Sequence, residues 1–597
     1  MTATIINTLL KKLTHRSALP AYSDYTLQYV RHALLTAINS LNKEPLFELT
    51  DIQLSLAPNH VAEHITLDGF ICGKKLKTNP IAWVSQTAEQ LNALSNDLFV
   101  HITPVKGYLN IQLNTTTLIT HIFNHFQHIG DRYGHSDLHQ QKVAVIDYSG
   151  PNIAKPIGIG HLRSTIIGQS LANIYEATGY SVLKINHIGD WGTQFGALIY
   201  AHDHLLDKAT FKDNPIGALK DIYVQFHALK QDQPELEDKA REHFKNLELK
   251  KPHETTLWQT FRQLSIDSFE DIYNQFNVSF DAYLGESFYI DQVQTTIDQV
   301  QAKGLCQTEA TSDLLTVQDL DKLPTFLLRK ADGTSLYITR DLAALLFRSS
   351  TFKPDTILYL VGNEQSLHFK QLFALYNKLD APAINQLAHI GFGLILADGK
   401  KMSTRAGSLI ELTELIEKTK TKCRDILTEK GTTLSEDDIH VLATGSIIYN
   451  DLSRTRTKDI DFNWNTMLSF ESGSSIYLQY TYARICSILR KQHDRFTALT
   501  NTTTFQPQHL AAEDTQLWLQ LLFFPKVLED ARRSNMPNGI ANYLEDLAQL
   551  FNSFYAKHSI KESADALFLC RYHLLTCINI VLKNGLACLN IGTLQRM

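Results

Sequence analysis

The chain has 597 residues, of which 44% are hydrophobic and 20% charged, and its formal net charge is −6. This is the composition of an ordinary globular protein, and the length predicts several domains. The negative charge excludes a protein that coats nucleic acid by overall attraction, but it is compatible with a locally basic patch.

The cysteines and the hydropathy pattern predict a cytoplasmic protein. The seven cysteines are scattered and form no CxxC pair, so neither a disulfide framework nor a protein metal site is predicted. We find no run of 18 apolar residues, which argues against a membrane span and a membrane partner. Residues 1–16 predict an amphipathic helix rather than a secretory signal.

Residues 1–115 predict a separate α+β domain. Helical periodicity over 25–41 precedes alternating stretches at 64–67 and 108–113. Three lysines within 74–77 either contact phosphate or form a solvated face.

Residues 143–168 predict a strand, a loop rich in glycine and proline, and a helix that starts near His161. In a parallel sheet such a loop meets a helix N-terminus, where backbone N–H groups and the helix dipole favour a phosphate. The dinucleotide fingerprint is excluded because Arg163 stands at the third glycine position, and a Walker loop is excluded because His161 follows Gly160.

This loop resembles the HIGH signature of class I aminoacyl-tRNA synthetases. The flanking segments PNIAKP at 151–156 and HLRST at 161–165 are similar to the arginine-specific family in particular. Gly158 replaces the first histidine of the signature, which in the family helps to hold the ATP phosphates; Lys155 or the loop backbone is the alternative contact. The residues that the resemblance assigns to catalysis or ATP on this loop are Lys155, Gly158, Gly160 and His161. Without that resemblance, an ordinary βα loop with a capping histidine explains the pattern.

A second predicted strand at 181–188 runs into the segment GDWGTQFG at 189–196, which resembles the same family. That segment is either a packing turn or part of the ATP site. Residues 201–323 are dominated by charged helical stretches and predict an insertion between two halves of the sheet, which resumes after it. The insertion has no recognisable metal or nucleophile cluster, so an editing site is not predicted.

A further cluster predicts a pocket for a guanidinium group. Tyr337 lies at a predicted strand end and Asp341 four residues later, so the two side chains share a face. A buried apolar strand at 356–361 is followed by Gln365 in a third strand-loop-helix corner. A guanidinium carries a permanent charge and a fork of donors, so its site needs a carboxylate and further acceptors.

The resemblance implies that Tyr337, Asp341 and Gln365 bind the side chain of arginine. Asp147 and Asn152 are implied to hold its α-amino group and nearby atoms. The family often has glutamate at the position of Asp147, so the reach of this carboxylate is shorter here. Taken alone, Asp341 is equally compatible with a charge at a helix start.

Residues 401–405, KMSTR, resemble the second class I signature, KMSKS. A lysine in a mobile, glycine-flanked loop stabilises the charge that moves onto the leaving pyrophosphate more than it stabilises the ground state. The resemblance assigns catalysis to Lys401 and ATP contacts to Met402, Ser403 and Arg405. The alternative is a basic surface loop.

From residue 474 the pattern is helical and predicts a bundle, after a connector at 447–470. Tyr477 and Tyr480 either stack unpaired bases or form half-buried core contacts. The segment resembles the anticodon-binding bundle of the arginine family, which ends in methionine, and this assigns tRNA contacts to Tyr477, Tyr480 and Met597.

The resemblance covers nearly the whole chain and implies a multidomain α/β protein with a Rossmann-like parallel-sheet catalytic domain of class I. The expected domains are an N-terminal α+β appended tRNA-binding domain at 1–115, the catalytic domain at 116–200 and 324–465, its insertion at 201–323, and a helical anticodon-binding domain at 466–597. The implied activity attaches L-arginine to tRNA(Arg) through an arginyl-adenylate and releases AMP and pyrophosphate. ATP with Mg²⁺, tRNA(Arg) and arginine are the implied ligands of a monomer that serves protein biosynthesis.

Two alternatives remain open at this point. Gly158 favours a catalytically weakened tRNA-binding paralogue, whereas Lys401, His161 and the pocket residues oppose it. A class I enzyme for another amino acid is opposed by Asp341, because an apolar substrate would leave that carboxylate unpaired.

Overall fold

A computed structural model describes residues 2–14, 18–42, 44–58, 60–94, 96–308, 314–318, 320–330, 335–397, 400–401 and 411–597. The chain divides into two compact units. The first unit contains residues 1–16, 141–176 and 180–467, and the second contains residues 17–140, 177–179 and 468–597. The division into four domains that the sequence predicts is finer than this and stays a prediction.

The helices and strands are numbered along the chain. The strands are β1 (Leu54–Leu56), β2 (Ile65–Asp68), β3 (Phe99–Val105), β4 (Tyr108–Leu113), β5 (Val143–Asp147), β6 (Ser181–Asn186), β7 (Ala282–Tyr283), β8 (Gln307–Thr308), β9 (Leu315–Val317), β10 (Phe326–Arg329), β11 (Thr356–Tyr359), β12 (Gln386–His389), β13 (Ile395–Ala397), β14 (Lys400–Lys401) and β15 (Ile460–Asp461). The helices are α1 (Thr2–Thr14), α2 (Thr26–Ser40), α3 (Gly69–Leu76), α4 (Pro80–Asn92), α5 (Thr115–Ile129), α6 (Leu162–Ala177), α7 (Gln194–Leu205), α8 (Lys208–Asp213), α9 (Pro215–Asp232), α10 (Leu236–Glu248), α11 (Pro252–Gln275), α12 (Ile290–Ala302), α13 (Tyr337–Phe352), α14 (Ser366–Lys378), α15 (Leu412–Glu429), α16 (Glu436–Leu452), α17 (Trp464–Met467), α18 (Ser475–Lys491), α19 (His493–Thr500), α20 (Ala512–Leu522), α21 (Phe524–Ser534), α22 (Asn538–Lys557) and α23 (Asp565–Cys588).

A five-stranded parallel sheet with the order β12–β11–β5–β6–β7 forms the centre of the first unit. Its strands β5, β6 and β11 are apolar and buried, as expected of a parallel sheet covered on both faces. Asp147, the last residue of β5, lies opposite Tyr359 on β11 and Ile185 on β6. The carboxyl ends of these three strands therefore meet at one edge, where open α/β sheets bind their ligands.

The edge strand β7 lies inside the segment that the sequence predicts to be inserted, although the sheet was expected to resume only after residue 323. Two residues are too few to produce a hydrophobic pattern, so the charged helices around β7 dominate the composition. The rest of that segment is mainly helical from α8 to α12. Its strands β8 and β9 pair with β10, which follows the segment, in an antiparallel sheet with the order β10–β9–β8.

The helix α1 confirms the amphipathic pattern predicted for the first residues. Leu9 and Leu13 on its apolar face are buried in the same hydrophobic cluster as Val145 and Ile185 of the central sheet. Lys12, on the other face, pairs with Asp281 at 2.7 Å. The first helix of the chain is therefore packed into the first unit.

The second unit combines an antiparallel sheet with the order β1–β2–β4–β3 and the predicted helical bundle, α18 to α23. One bundle helix, α23, is long and apolar enough by length and composition alone to cross a membrane. The larger part of its most apolar stretch is buried, and its Arg571 forms a bidentate ion pair with the buried Asp514 of α20. A helix in the core of a bundle has the same length and composition as a helix that crosses a membrane.

Candidate functional site

A cavity of about 330 Å³ lies at the carboxyl ends of β5, β6 and β11. Its volume suits a small-molecule ligand. Five residues that the sequence predicts for the site line this cavity: Asp147, Gly160, His161, Tyr337 and Asp341. Positions up to 194 residues apart in the chain thus converge at one edge of the sheet.

Asp341 is the carboxylate of the cavity that the sequence assigns to a guanidinium. It is 7% exposed, and its Oδ2 lies 2.7 Å from Nε2 of His368. Tyr337 begins α13 rather than ending a strand, because the helix starts three residues earlier than its periodicity predicts. Tyr337 and Asp341 are therefore one helical turn apart, on the shared face that their spacing predicts.

The neighbouring Asp341 also affects the hydroxyl of Tyr337. The Asp341 carboxylate, and secondarily burial, raise the pKa of the Tyr337 hydroxyl well above its ordinary value. A neutral phenol both donates and accepts hydrogen bonds. The pair therefore offers a charge and a neutral acceptor side by side, which is the combination that a guanidinium requires.

Asp147 has a resident cationic partner. Nη1 of the fully buried Arg348 donates a hydrogen bond to Oδ2 of Asp147 at 2.7 Å, and its guanidinium carbon lies within 6 Å of the ring centroids of Tyr289 and Tyr359. The charge of Asp147 is thus balanced inside the cavity before any ligand binds.

The sequence analysis does not assign a role to two titratable residues near the cavity, Glu286 and His187. Glu286 is buried, and its Oε2 lies 2.9 Å from Nε of Arg340, although the two atoms are not aligned for a hydrogen bond. Burial raises the pKa of Glu286 and the charge of Arg340 opposes that change. His187 lines the cavity directly after β6, and its place at the end of a strand beside β5 is the signal that could have identified it.

The other end of the cavity has room for a nucleotide. A side chain at Gly160 or Gly362 would meet no atom within 4 Å, so a ligand can approach the backbone there. Burial lowers the pKa of His161, and its buried Nδ1 has no hydrogen-bond partner among the described residues. A neutral, unpaired imidazole nitrogen at a helix start is suited to a phosphate or ribose oxygen.

The backbone of Gly158 closes the loop rather than lining the cavity. Its carbonyl accepts a hydrogen bond from the His161 N–H at 2.9 Å, and it forms an antiparallel bridge with Glu411. The N–H of Leu412 donates to the carbonyl of Ile157 at 3.2 Å. The first predicted loop is thus tied to the chain that follows the second signature.

Besides Gly158, three further predicted residues of the described chain lie outside the lining of this cavity. Asn152 and Lys155 line a second cavity of about 270 Å³, in which Nζ of Lys155 lies 5.1 Å from the ring centroid of Tyr223. Gln365 is exposed at the end of a short 3₁₀ helix, Asn363–Gln365.

The GDWG segment acts as a packing turn in the described structure. A Cβ at Gly189 would lie 1.9 Å from Oδ1 of Asn152, so only glycine permits this approach. Asp190 is fully buried and accepts hydrogen bonds from Nε of Arg262 and from the N–H and hydroxyl of Ser287. None of these residues lines the cavity at the carboxyl ends of β5, β6 and β11.

The second signature is only partly described. The backbone of Lys401 pairs with Leu396 in β14 and β13. Met402, Ser403 and Arg405 lie outside the described residues, so their predicted contacts with ATP stay predictions.

A second candidate site is a cavity of about 1030 Å³ in the second unit, lined by α18, the end of α22 and the end of the chain. Tyr480 and Met597 line it, whereas the Tyr477 hydroxyl lies outside and accepts a hydrogen bond from Asn552. The guanidinium of Arg484 lies 4.6 Å from the ring centroid of Tyr480. The cationic residues of the lining are Arg484, Arg490, Lys491, Lys557, Lys561 and Arg596. Cations beside an aromatic ring suit a single-stranded nucleic acid.

Comparisons with known proteins agree on one family. The family described as "tRNA synthetases class I (R), catalytic domain" matches residues 125–464, and the "DALR anticodon binding domain" matches residues 478–597. "Arginine--tRNA ligase 1" of Bacillus thuringiensis subsp. konkukian is 38% identical over 533 residues, which are 88% of this chain and 92% of that protein. "Arginine--tRNA ligase" of Alkaliphilus metalliredigens is 34% identical over 573 residues, 96% and 99% of the two chains.

Solved structures agree on the fold. The Thermus thermophilus arginyl-tRNA synthetase matches with a TM-score of 0.80 at 21% identity, over 95% of this chain and all of that one. The Plasmodium falciparum arginyl-tRNA synthetase matches with a TM-score of 0.76 at 24% identity, over 95% and 99% of the two chains. The predicted class I architecture with a helical anticodon-binding domain is confirmed.

Proposed function

Because the chain belongs to the arginyl-tRNA synthetases, which attach L-arginine to tRNA at the expense of ATP, we propose that the cavity beside Asp341 is where arginine is activated. The observation that carries this proposal is the Asp341–Tyr337 pair, which faces the same cavity as Gly160 and His161. Nothing in the comparisons favours the alternative of a weakened paralogue.

In this proposal the guanidinium of arginine binds Asp341 and Tyr337, with Gln365 as a further acceptor. Asp147 and Asn152 hold the α-amino end. The arginine carboxylate then attacks the α-phosphate of ATP, which gives arginyl-adenylate and pyrophosphate. Because the substrates are held together, proximity and charge stabilisation supply most of the rate, with no covalent enzyme intermediate.

The phosphates are proposed to meet the first loop and the second signature. Gly158, Gly160 and His161 contact ATP from the helix start, and Lys155 and Lys401 stabilise the developing charge. Met402, Ser403 and Arg405 complete the ATP contacts. A ribose hydroxyl at the 3′ end of tRNA(Arg), in class I the 2′ position first, then attacks the acyl group and releases AMP.

ATP is proposed to enter as its Mg²⁺ complex. Mg²⁺ keeps several waters and is commonly held through substrate phosphates rather than by a dedicated protein cage. We further propose that the enzyme acts as a monomer in the cytoplasm, independent of membranes. The seven free cysteines support a reducing compartment.

The experiment that tests the function is aminoacylation of total tRNA with each labelled amino acid in turn. Arginine alone is expected to be transferred, because an uncharged side chain would leave Asp341 without a counter-charge. Transfer of another amino acid in preference to arginine would contradict the proposal.

The variant Lys401→Ala is expected to lower the turnover number about 10²- to 10³-fold, because a charge contact made mainly in the transition state is lost. The KM for arginine should change little. Steady-state aminoacylation measures both constants, with Lys418→Ala, an exposed lysine paired with Glu414, as the control. A rise in KM with unchanged turnover would contradict the role of Lys401.

The cationic cavity of the second unit is proposed to bind the anticodon stem-loop, with Tyr480 and Met597 against the bases and Tyr477 beside them. The variant Lys491→Ala should weaken tRNA binding and reduce the slope of log affinity against log salt by about one. Fluorescence titration at several salt concentrations measures this slope. Lys583→Ala on α23, an exposed lysine of the same bundle outside the cavity lining, is the control. Equal losses in the two variants would contradict a localised tRNA surface.

A further inference from the structure

The acidic groups at the arginine cavity differ in the cation that accompanies them. Asp147 pairs with Arg348 and Glu286 lies beside Arg340, and both partners keep their charge at every accessible pH. Asp341 instead pairs with His368, at 2.7 Å. The partner of Asp341 is thus an imidazole that donates through one N–H, rather than a guanidinium with a permanent charge.

His368 touches both residues that are proposed to read the guanidinium. It stands in the first turn of α14, and its side chain is 15% exposed. Nε2 contacts Oδ2 of Asp341, and the imidazole centroid lies 4.9 Å from the ring centroid of Tyr337. An ionised carboxylate only accepts hydrogen bonds, so Nε2 must carry a proton in this contact.

The second oxygen of Asp341 is less engaged. Nε2 of His187 lies 3.6 Å from Oδ1, beyond hydrogen-bond distance. Nδ1 of His187 lies 2.9 Å from the carbonyl oxygen of Leu284 and 3.3 Å from Nη2 of Arg348. Because Nε2 of His187 makes no hydrogen bond to Asp341, Oδ1 of Asp341 is open to a ligand.

We propose that His368 is a positioning residue for arginine recognition. Its Nε2–H fixes Asp341 through Oδ2 and its ring supports Tyr337, so that Oδ1 faces the guanidinium. The inference rests on the proposed arginine pocket, and it implies that the KM for arginine rises when the hydrogen bond to Oδ2 is removed.

The groups that face His368 from neighbouring elements limit the alternatives. From α13 these are Asp341 and Tyr337. From β12, His389 stacks on Phe369, and its Nε2 lies 2.8 Å from the carbonyl oxygen of Val361. His187 is the remaining histidine at Asp341, and it contacts the other carboxylate oxygen.

The test compares two variants of the full-length enzyme, His368→Leu and His368→Gln, by steady-state aminoacylation with increasing arginine. Leucine removes the hydrogen bond to a charged group, so the KM for arginine should rise about ten- to hundredfold, with the KM for ATP and the turnover number nearly unchanged. Glutamine can still donate to Asp341, so it should keep the wild-type KM within about threefold.

Two outcomes would overturn the inference: an unchanged KM in His368→Leu, or a KM in His368→Gln as high as in His368→Leu. If the leucine variant does not fold, His368→Ala takes its place in the comparison with the glutamine variant. The variant Asp341→Asn separates this inference from the pocket itself. If Asp341→Asn leaves the KM for arginine unchanged, the pocket assignment is wrong. If Asp341→Asn raises this KM but the His368 variants do not, only the role of His368 is wrong.

Discussion

Replacing Asp341 with asparagine is expected to abolish arginylation while tRNA binding persists. The side chain is almost fully buried at the end of the cavity, and the substrate that it is proposed to meet carries a permanent positive charge. Asparagine preserves the shape but removes the counter-charge, so a buried guanidinium would remain unpaired. Losing one partner of such a pair costs about 2–5 kcal/mol, which corresponds to a loss of about 30- to 4,000-fold in kcat/KM.

The measurement is aminoacylation at saturating ATP and tRNA with increasing arginine, beside a direct titration of tRNA binding. Asp291→Asn, a change to an exposed aspartate on α12, is the matched control and should behave as the wild type. Aminoacylation by Asp341→Asn at the wild-type rate would remove the assignment of the arginine pocket.

Replacing Arg163 with alanine is expected to be the most destabilising of the changes considered. Arg163 follows the first signature on α6 and is 1% exposed. Nε and Nη2 donate to the two carboxylate oxygens of Asp451 on α16, at 2.9 and 3.0 Å, and the guanidinium also donates to the carbonyls of Arg456 and Lys458. Alanine would leave Asp451 buried without its partner, which costs about 3–5 kcal/mol.

Urea unfolding of the full chain, followed by circular dichroism, measures this loss as a lower midpoint of the transition that includes the first unit. Arg163→Lys should be intermediate, because it keeps the charge but not the paired hydrogen bonds. Arg241→Ala, at a surface position with a 66% exposed side chain, should change the stability by less than about 0.5 kcal/mol. If Arg163→Ala is as stable as Arg241→Ala, the buried pair does not anchor α6.

The parts of the site that could be predicted are those that follow strands. Asp147 is the last residue of β5, and the loop after β11 begins at the same edge of the sheet. The rule that parallel strands share a carboxyl edge is therefore enough to bring these two segments together. The spacing of Tyr337 and Asp341 likewise sets their common face once α13 is recognised. Local periodicity and one rule of topology therefore account for much of the cavity.

The parts that could not be predicted depend on contacts between distant segments without a motif. Arg348 reaches Asp147 across 201 positions, and His368 reaches Asp341 from a different helix. Glu286 belongs to a short 3₁₀ helix inside a charged segment, where a carboxylate is normally solvated. Sequence patterns indicate which face of an element is buried. They do not indicate which polar side chain on another element will pair with a residue of that face.

The positions of Lys155 and Asn152 show a second limit. Both belong to the first loop, yet they line a different cavity from Gly160 and His161. Residues that are neighbours in a motif therefore need not line the same cavity.

The most direct test of the central claim is the structure of the enzyme with a non-hydrolysable analogue of arginyl-adenylate. We expect the guanidinium between Asp341 and Tyr337, and the adenosine moiety against Gly160 and His161 at the other end of the same cavity. A guanidinium bound elsewhere, with Asp341 still paired only to histidine, would contradict the account.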